Sequence, residues 1–230
     1  MLIRVRVLVT TLAVMAGLSV TAVAGAQTAC DDLGGTVGPD QVCHVINTAV
    51  EPSYQYEFSF SVDYPDQQPV ADYLMHERDE FVDYVKTLTR PNDIPYELDA
   101  KGHTYRSGSP PSGTASLVFK VYSETGGAHP VTYFDAFNYD RAKNVPITFD
   151  TLFKPDTKPL DVIYPIVARE LNKRFGPEEI YGGHDVKTYK AFVITDDAVI
   201  FFFGQGQVLA QVDGPIEVTV PRTELAPLLA

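Results

Sequence analysis

Ala198-Val199-Ile200-Phe201-Phe202-Phe203 is a run of six apolar residues. Side chains of a strand alternate between its two faces, so this run is apolar on both and belongs in the middle of a sheet. Lys190 to Ile194 precedes it, with Thr195-Asp196-Asp197 between, and the three segments read as a hairpin around an acidic turn. Ile216 to Val220 is a further strand, and Arg222 to Leu229 reads as a short closing helix.

The first half has a different texture. Tyr54, Tyr56, Phe58, Phe60 and Val62 alternate with Gln55, Glu57, Ser59 and Ser61, which predicts a strand with one buried face. Val70, Leu74, Phe81, Val85 and Leu88 then form the stripe of an amphipathic helix, with Asp66 placed as its cap and Arg90-Pro91 beyond its end. Tyr96, Leu98 and Ala100 predict a second strand. The polar stretch from Lys101 to Gly113, which ends in Ser107-Gly108-Ser109-Pro110-Pro111-Ser112-Gly113, reads as a long loop. Leu117 to Tyr122 and Val131 to Tyr139 form a hairpin about Gly126-Gly127-Ala128-His129-Pro130. Ile147-Thr148-Phe149 continues the β pattern. Leu160 to Phe175 is helical and closed by Gly176 and Pro177, with Pro165 either starting or kinking it. The sum is an α+β fold, a mostly antiparallel sheet with two main helices.

The amino terminus carries an export pattern. Arg4 and Arg6 precede an apolar run from Val7 to Val23 that ends at Ala24-Gly25-Ala26, which reads as a signal peptide over residues 1–26. Gln27-Thr28-Ala29 lacks the aliphatic residue of a lipid-attachment site before Cys30, so release is expected. Removing residues 1–26 takes away two arginines and no acid, moving the formal charge from −12 to −14. Such a chain gains nothing from nucleic acid through long-range charge, and no nucleic-acid partner is expected. The only two cysteines, Cys30 and Cys43, flank a turn-rich segment and suit a disulfide outside the cell.

Several stretches occur together in order: Asp63-Tyr64-Pro65-Asp66-Gln67-Gln68, Gly126-Gly127-Ala128-His129-Pro130, Ala136-Phe137-Asn138-Tyr139-Asp140, and Pro146-Ile147-Thr148-Phe149-Asp150-Thr151-Leu152-Phe153. They are followed by Tyr164-Pro165-Ile166-Val167, Ile194-Thr195-Asp196-Asp197, Val199-Ile200-Phe201-Phe202-Phe203 and Val220-Pro221-Arg222. The set resembles the mycobacterial secreted immunogenic antigens of the MPT/MPB type, and the second half resembles the extracellular domain of the lysozyme-sensing anti-sigma factor RsiV. The resemblance implies a β-grasp-like portion, export, and residence in culture fluid or cell wall. It also implies either partner binding or a short-chain carboxylesterase activity, and it supplies no catalytic set to carry over. The expected division is a disulfide-pinned segment (27–52), an α+β subdomain (53–115) and an RsiV-like domain (116–230). The chain is expected to act as a monomer on a host or cell-envelope macromolecule.

For an esterase the residues offer no G-x-S-x-G elbow. Ser107, Ser109 and Ser112 read as loop serines. Ser123 is better placed, because Gly126 and Gly127 leave backbone N–H groups uncovered beside it. His129, held between glycines and Pro130, is the candidate base, with Asp135, Asp196 or Asp197 as its orienting acid. Its simpler reading is a residue that braces the structural loop Gly126, Gly127, His129 and Pro130. His103 and His184 read as surface residues. His76-Glu77-Arg78-Asp79-Glu80 has Glu80 where a zinc motif needs a second histidine, so no metal site and no cofactor are expected. Tyr105, Tyr122, Tyr133, Tyr181 and Tyr189 are placed near loops or polar faces, where aromatic surface serves binding.

Overall fold

The computed structural model of the chain describes residues 29–88, 95–177 and 180–230. The expected signal peptide and the Arg90-Pro91 pair lie outside these residues. Strands β1 (Thr36–Val37), β2 (Val42–Val50), β3 (Ser53–Ser61), β4 (Tyr96–Ser107), β5 (Thr114–Glu124), β6 (Val131–Asp140) and β7 (Val145–Pro146) pair in sequence order into one sheet. Its neighbours are antiparallel except β3 and β4, which run parallel with helix α1 (Gln67–Thr87) between them in the chain. A second, antiparallel sheet has the order β10 (Ile216–Pro221), β9 (Ala198–Phe203), β8 (Phe192–Ile194). Helices α2 (Phe149–Leu152), α3 (Leu160–Phe175) and α4 (Arg222–Leu225) complete the described elements used below. The architecture is α+β, as expected.

Three apolar clusters stack these elements into four layers. Val70, Leu74, Phe81 and Val85 of α1 pack on Phe58, Phe60, Leu98 and Phe119 of the large sheet. The other face of that sheet presents Val118, with Tyr105 and Phe134 beside it, to Val193 and Phe202 of the small sheet. Val199, Phe201 and Phe203 then meet Ile163, Val167 and Leu171 of α3. β9 is therefore apolar on both faces because each face closes a different core. Each buried phenylalanine contributes about 1.5–3 kcal/mol.

The disulfide joins Cys30 to Cys43 with both residues fully buried. Gly35 is required beside it, since a Cβ there would lie 2.9 Å from both sulfurs and 2.8 Å from Val45 Cγ2. Closing this short loop contributes about 3 kcal/mol through the unfolded state.

Several expectations need correction. The polar stretch after Ala100 is not a loop up to Ser107: β4 continues through it, in register with β5 to the pair Ser107↔Thr114. Backbone pairing, indifferent to side-chain polarity, carries the strand past the core. Only Gly108–Gly113 is left for the tip, where Gly113 adopts φ 82° and a Cβ would strike Ser107 O. Ile147-Thr148-Phe149 does not continue a strand. Thr148 N donates to Thr151 Oγ1 (2.8 Å) and Thr151 N donates to Thr148 Oγ1 (3.3 Å), a reciprocal cap that starts α2 at Phe149. Asp66 precedes α1 but its side chain caps nothing; Gln67 instead donates back to Tyr64 O at 2.5 Å. The closing helix ends at Leu225 rather than Leu229. Pro165 lies inside α3, which begins five residues earlier at Leu160. Tyr189 is buried rather than loop-exposed, its hydroxyl donating to Gly183 O at 2.8 Å.

One buried polar junction ties the sheets together. Ser116 Oγ donates to Asn138 Oδ1 (2.6 Å), Asn138 Nδ2 donates to Phe192 O (2.8 Å), and Ile194 N donates to Ser116 Oγ (3.1 Å). Asn138→Ala leaves Phe192 O and Ser116 without partners and is expected to cost about 2 kcal/mol or more in urea unfolding. A loss below about 0.5 kcal/mol, the size of an ordinary surface change, would show that the junction does not hold the layers.

Burial also pushes the Tyr189 phenol up to about 12 and raises those of Tyr64, Tyr73 and Tyr133. Free tyrosine ionises near pH 10, so the unfolded chain releases these protons first. The Tyr189 contribution is fully present below about pH 10 and is lost as pH rises through 12. The urea midpoint is expected to fall between pH 9 and about 11.5, and less so in Tyr189→Phe.

Candidate functional site

The structure does not gather the serine, histidine and acid that the sequence offered. Ser123 is near the end of β5 and pairs with Val131, the first residue of β6; His129 is exposed in the intervening turn. Asp196 and Asp197 lie in the turn before β9, where Asp196 Oδ1 accepts from Gly108 N (2.7 Å) at the tip of the β4–β5 hairpin. The two ends of β5 therefore separate them, about 30 Å for the rise from Thr114 to Ser123. Among the described residues no serine hydroxyl is hydrogen-bonded to a histidine. His129 has no side-chain partner there, whereas Gly126 N donates to Glu124 Oε1 (2.7 Å) to shape the turn. Asp135 accepts from its neighbour Ala136 N at 2.7 Å.

The remaining candidates are scattered. Ser107 Oγ accepts from Arg222 Nη1 (2.7 Å), and Ser112 Oγ donates to Ser109 O (3.1 Å) within the tip. His184 is exposed and stacks on Tyr164 with ring centroids 3.9 Å apart, while His103 is exposed on β4. His76 faces Glu80 at 3.3 Å on an exposed turn of α1. No group of three or more metal-ligating side chains occurs among the described residues. The Tyr133 hydroxyl is engaged, donating to Glu77 Oε2.

What the fold does build is a cleft of about 420 Å³ at the Asp196 end of the molecule. Its apolar walls come from Val145, Ile147, Leu152, Ile194, Val199 and Leu229, drawn from β7, α2, the small sheet and the carboxyl-terminal segment. That segment is held by Ala230 N donating to Leu152 O (3.1 Å) and Lys154 N to Leu228 O (2.8 Å). Two cations, Arg222 and Lys143, line the same space. Arg222 is half-buried, and Nη1 donates to Ser107 Oγ and to Thr195 O (3.2 Å), both neutral acceptors. It forms no ion pair among the described residues. Lys143 is 3.5 Å from Asp140, whose carboxylate also accepts from Lys143 N (3.0 Å) and Ala142 N (2.9 Å). These backbone donors and the adjacent ammonium hold the Asp140 carboxyl below its usual range. The sequence named Arg222 only as the end of Val220-Pro221-Arg222 and the start of the closing helix, because the Ser107 and Thr195 atoms it contacts are distant in the chain.

The arrangement of two sheets between helices places the chain in a class first. A profile described as "Protein of unknown function (DUF3298)" matches residues 150–223. A DUF3298 family protein from Pseudomonas aeruginosa has the same fold, with TM-score 0.56 at 14% identity over 84% of this chain and 96% of that one. Closer in sequence, the "Esterase Rv3036c" of Mycobacterium tuberculosis is 47% identical over 208 residues, 89% of this chain and 90% of its own. "Immunogenic protein MPT64" of the same organism is 39% identical over the full length of both chains. The chain belongs to the mycobacterial MPT64/MPB64 immunogenic protein family.

Asp140→Ala is expected to free the Ala142 and Lys143 amides, read as faster hydrogen exchange at both. The sign with pH follows from the lowered pKa. The carboxylate holds this turn above the unfolded value and releases it as pH falls through the native one. Unchanged exchange would remove Asp140 from the cleft's architecture.

Proposed function

We propose that the chain is an exported binding protein that takes an apolar, anionic group of a host or cell-envelope macromolecule into the cleft beside Arg222. The observation that carries this reading is the half-buried Arg222, unpaired among the described residues, in an apolar cleft of a chain with 30 acids and 18 bases. Export is supported by the amino-terminal Arg4–Ala26 pattern and by the Cys30–Cys43 disulfide.

The amphipathic anion 8-anilinonaphthalene-1-sulfonate probes the cleft directly. Its fluorescence titration is expected to weaken about fivefold or more in Arg222→Gln and to recover in part in Arg222→Lys. Equal affinity in all three proteins would remove Arg222 from recognition. A second reading, a carboxylesterase, is favoured by the 47% identity to a relative named an esterase. A fluorophosphonate probe separates the two. The binding reading expects no stoichiometric serine labelling and no loss of 4-nitrophenyl butyrate hydrolysis in Ser123→Ala or His129→Ala. Labelling of one serine, with activity lost on its replacement, would establish the esterase instead.

A further inference from the structure

A second cavity, of about 330 Å³, opens on the side of the large sheet that faces β10. Its floor is aromatic: Tyr105 and Phe134 pack on Phe202 with ring centroids 6.3 and 5.3 Å away. Tyr105 is half-buried, and its hydroxyl has no partner among the described residues. Around this floor stand His103, Lys120 and Arg174, contributed by β4, β5 and the end of α3.

Three basic side chains meet at this cavity. Some basic side chains elsewhere are matched locally: Lys101 to Asp99 at 2.5 Å, Lys173 and Arg169 to Glu170 at 2.9 and 3.1 Å. Here Lys120 and His103 form neither a hydrogen bond nor an ion pair among the described residues. Arg174 donates only to a backbone carbonyl, Glu217 O at 3.1 Å, and lies over the Phe175 ring. The register also sets Lys120 opposite Lys101, which keeps the neighbouring strand from neutralising it. Glu217 is the one carboxylate in the lining. With a net charge of −12, the chain as a whole repels dense polyanions, so the cavity suits a ligand whose negative charges are sparse.

We infer that this cavity binds a carboxylate-bearing oligosaccharide. A pyranose ring presents an apolar C–H face that covers a partly exposed aromatic floor and a polar rim that reaches outward. A carboxylate on that rim meets Lys120 and Arg174, which have no other acid to serve. The cations come from three separate elements, which suits a ligand whose charges lie on more than one sugar. This site is separate from the cleft beside Arg222 and does not depend on the function proposed there.

Calorimetric titration of the oxidised chain with trigalacturonate, beside the neutral galactotriose, tests the inference. Trigalacturonate is expected to bind at least about tenfold more tightly than galactotriose. Lys120→Glu, which buries no charge because the position is exposed, is expected to weaken it about fivefold or more. Lys86→Glu, the same charge reversal on α1, is expected to leave it unchanged. Equal binding of the two sugars, no binding of either, or equal loss in Lys86→Glu would overturn the assignment. Inorganic phosphate displacing trigalacturonate at equal concentration would overturn it too, by showing a bare anion site.

Discussion

Ser116 and Asn138 hold the two sheets of this protein in register from inside the core. Apolar contact between the sheets is non-directional: Val118, Phe134 and Phe202 would pack nearly as well after a shift along the strand. Hydrogen bonds from Asn138 to Phe192 O, and from Ile194 N to Ser116, permit one position only. Both partners are buried, so a shifted arrangement would strand polar groups away from water, at about 1–3 kcal/mol each. That penalty fixes where β8 lies, and through β8 where β9, β10 and α4 lie. The cleft beside Arg222 exists because this junction sets the small sheet against Thr114 and Asp140 at the end of the large one.

How far the chain could be read from its sequence follows from where each element gets its stability. β3, α1 and α3 were legible because a periodic apolar face is written into them, as in Tyr54 to Val62 or Val70 to Leu88, and β9 because its unbroken apolar run marks a strand buried on both faces. Lys101 to Ser107 was not, because there β4 is held by its ladder with β5 rather than by burial of its own side chains. Thr148 shows the opposite case. Ile147-Thr148-Phe149 has the composition of a strand, yet the reciprocal bonds to Thr151 turn it into a helix start. Local hydrogen bonding there outweighs β propensity, and a hydropathy pattern carries no trace of it. The expected boundary at 115/116 falls within β5, a strand paired on both sides.

The functional residues were less legible than the fold for a related reason. His129 and Asp197 sit at turns and Ser123 stands one residue from the end of β5, which is why each looked available for chemistry. Successive hairpins, however, put their turns at opposite ends of the strand they share, and β5 is long enough to keep Ser123 and His129 at one end from the acids that meet the β4–β5 tip at the other. Arg222 had no distinguishing neighbour in sequence. Its significance comes from Ser107, distant in the chain and brought to it by the β4–β5 tip, and from the acids that do not approach it.

Unmatched cations in an acidic chain also bear on recognition at long range. Distributed negative charge slows the approach of any anion, so an anionic ligand gains affinity only after it reaches a cation sheltered from that field. Half-buried Arg222 meets this condition, with apolar walls that lower the local dielectric and strengthen a short-range pair. Lys120, exposed, gains less from shelter and needs Arg174 and the aromatic floor to assist it. Under the proposed binding role the acidic surface would act as a filter, disfavouring dense polyanions such as nucleic acid while leaving sparse, amphipathic anions able to bind. On that proposal the negative charge and the sheltered cations are parts of one selectivity device, and neither would confer it alone.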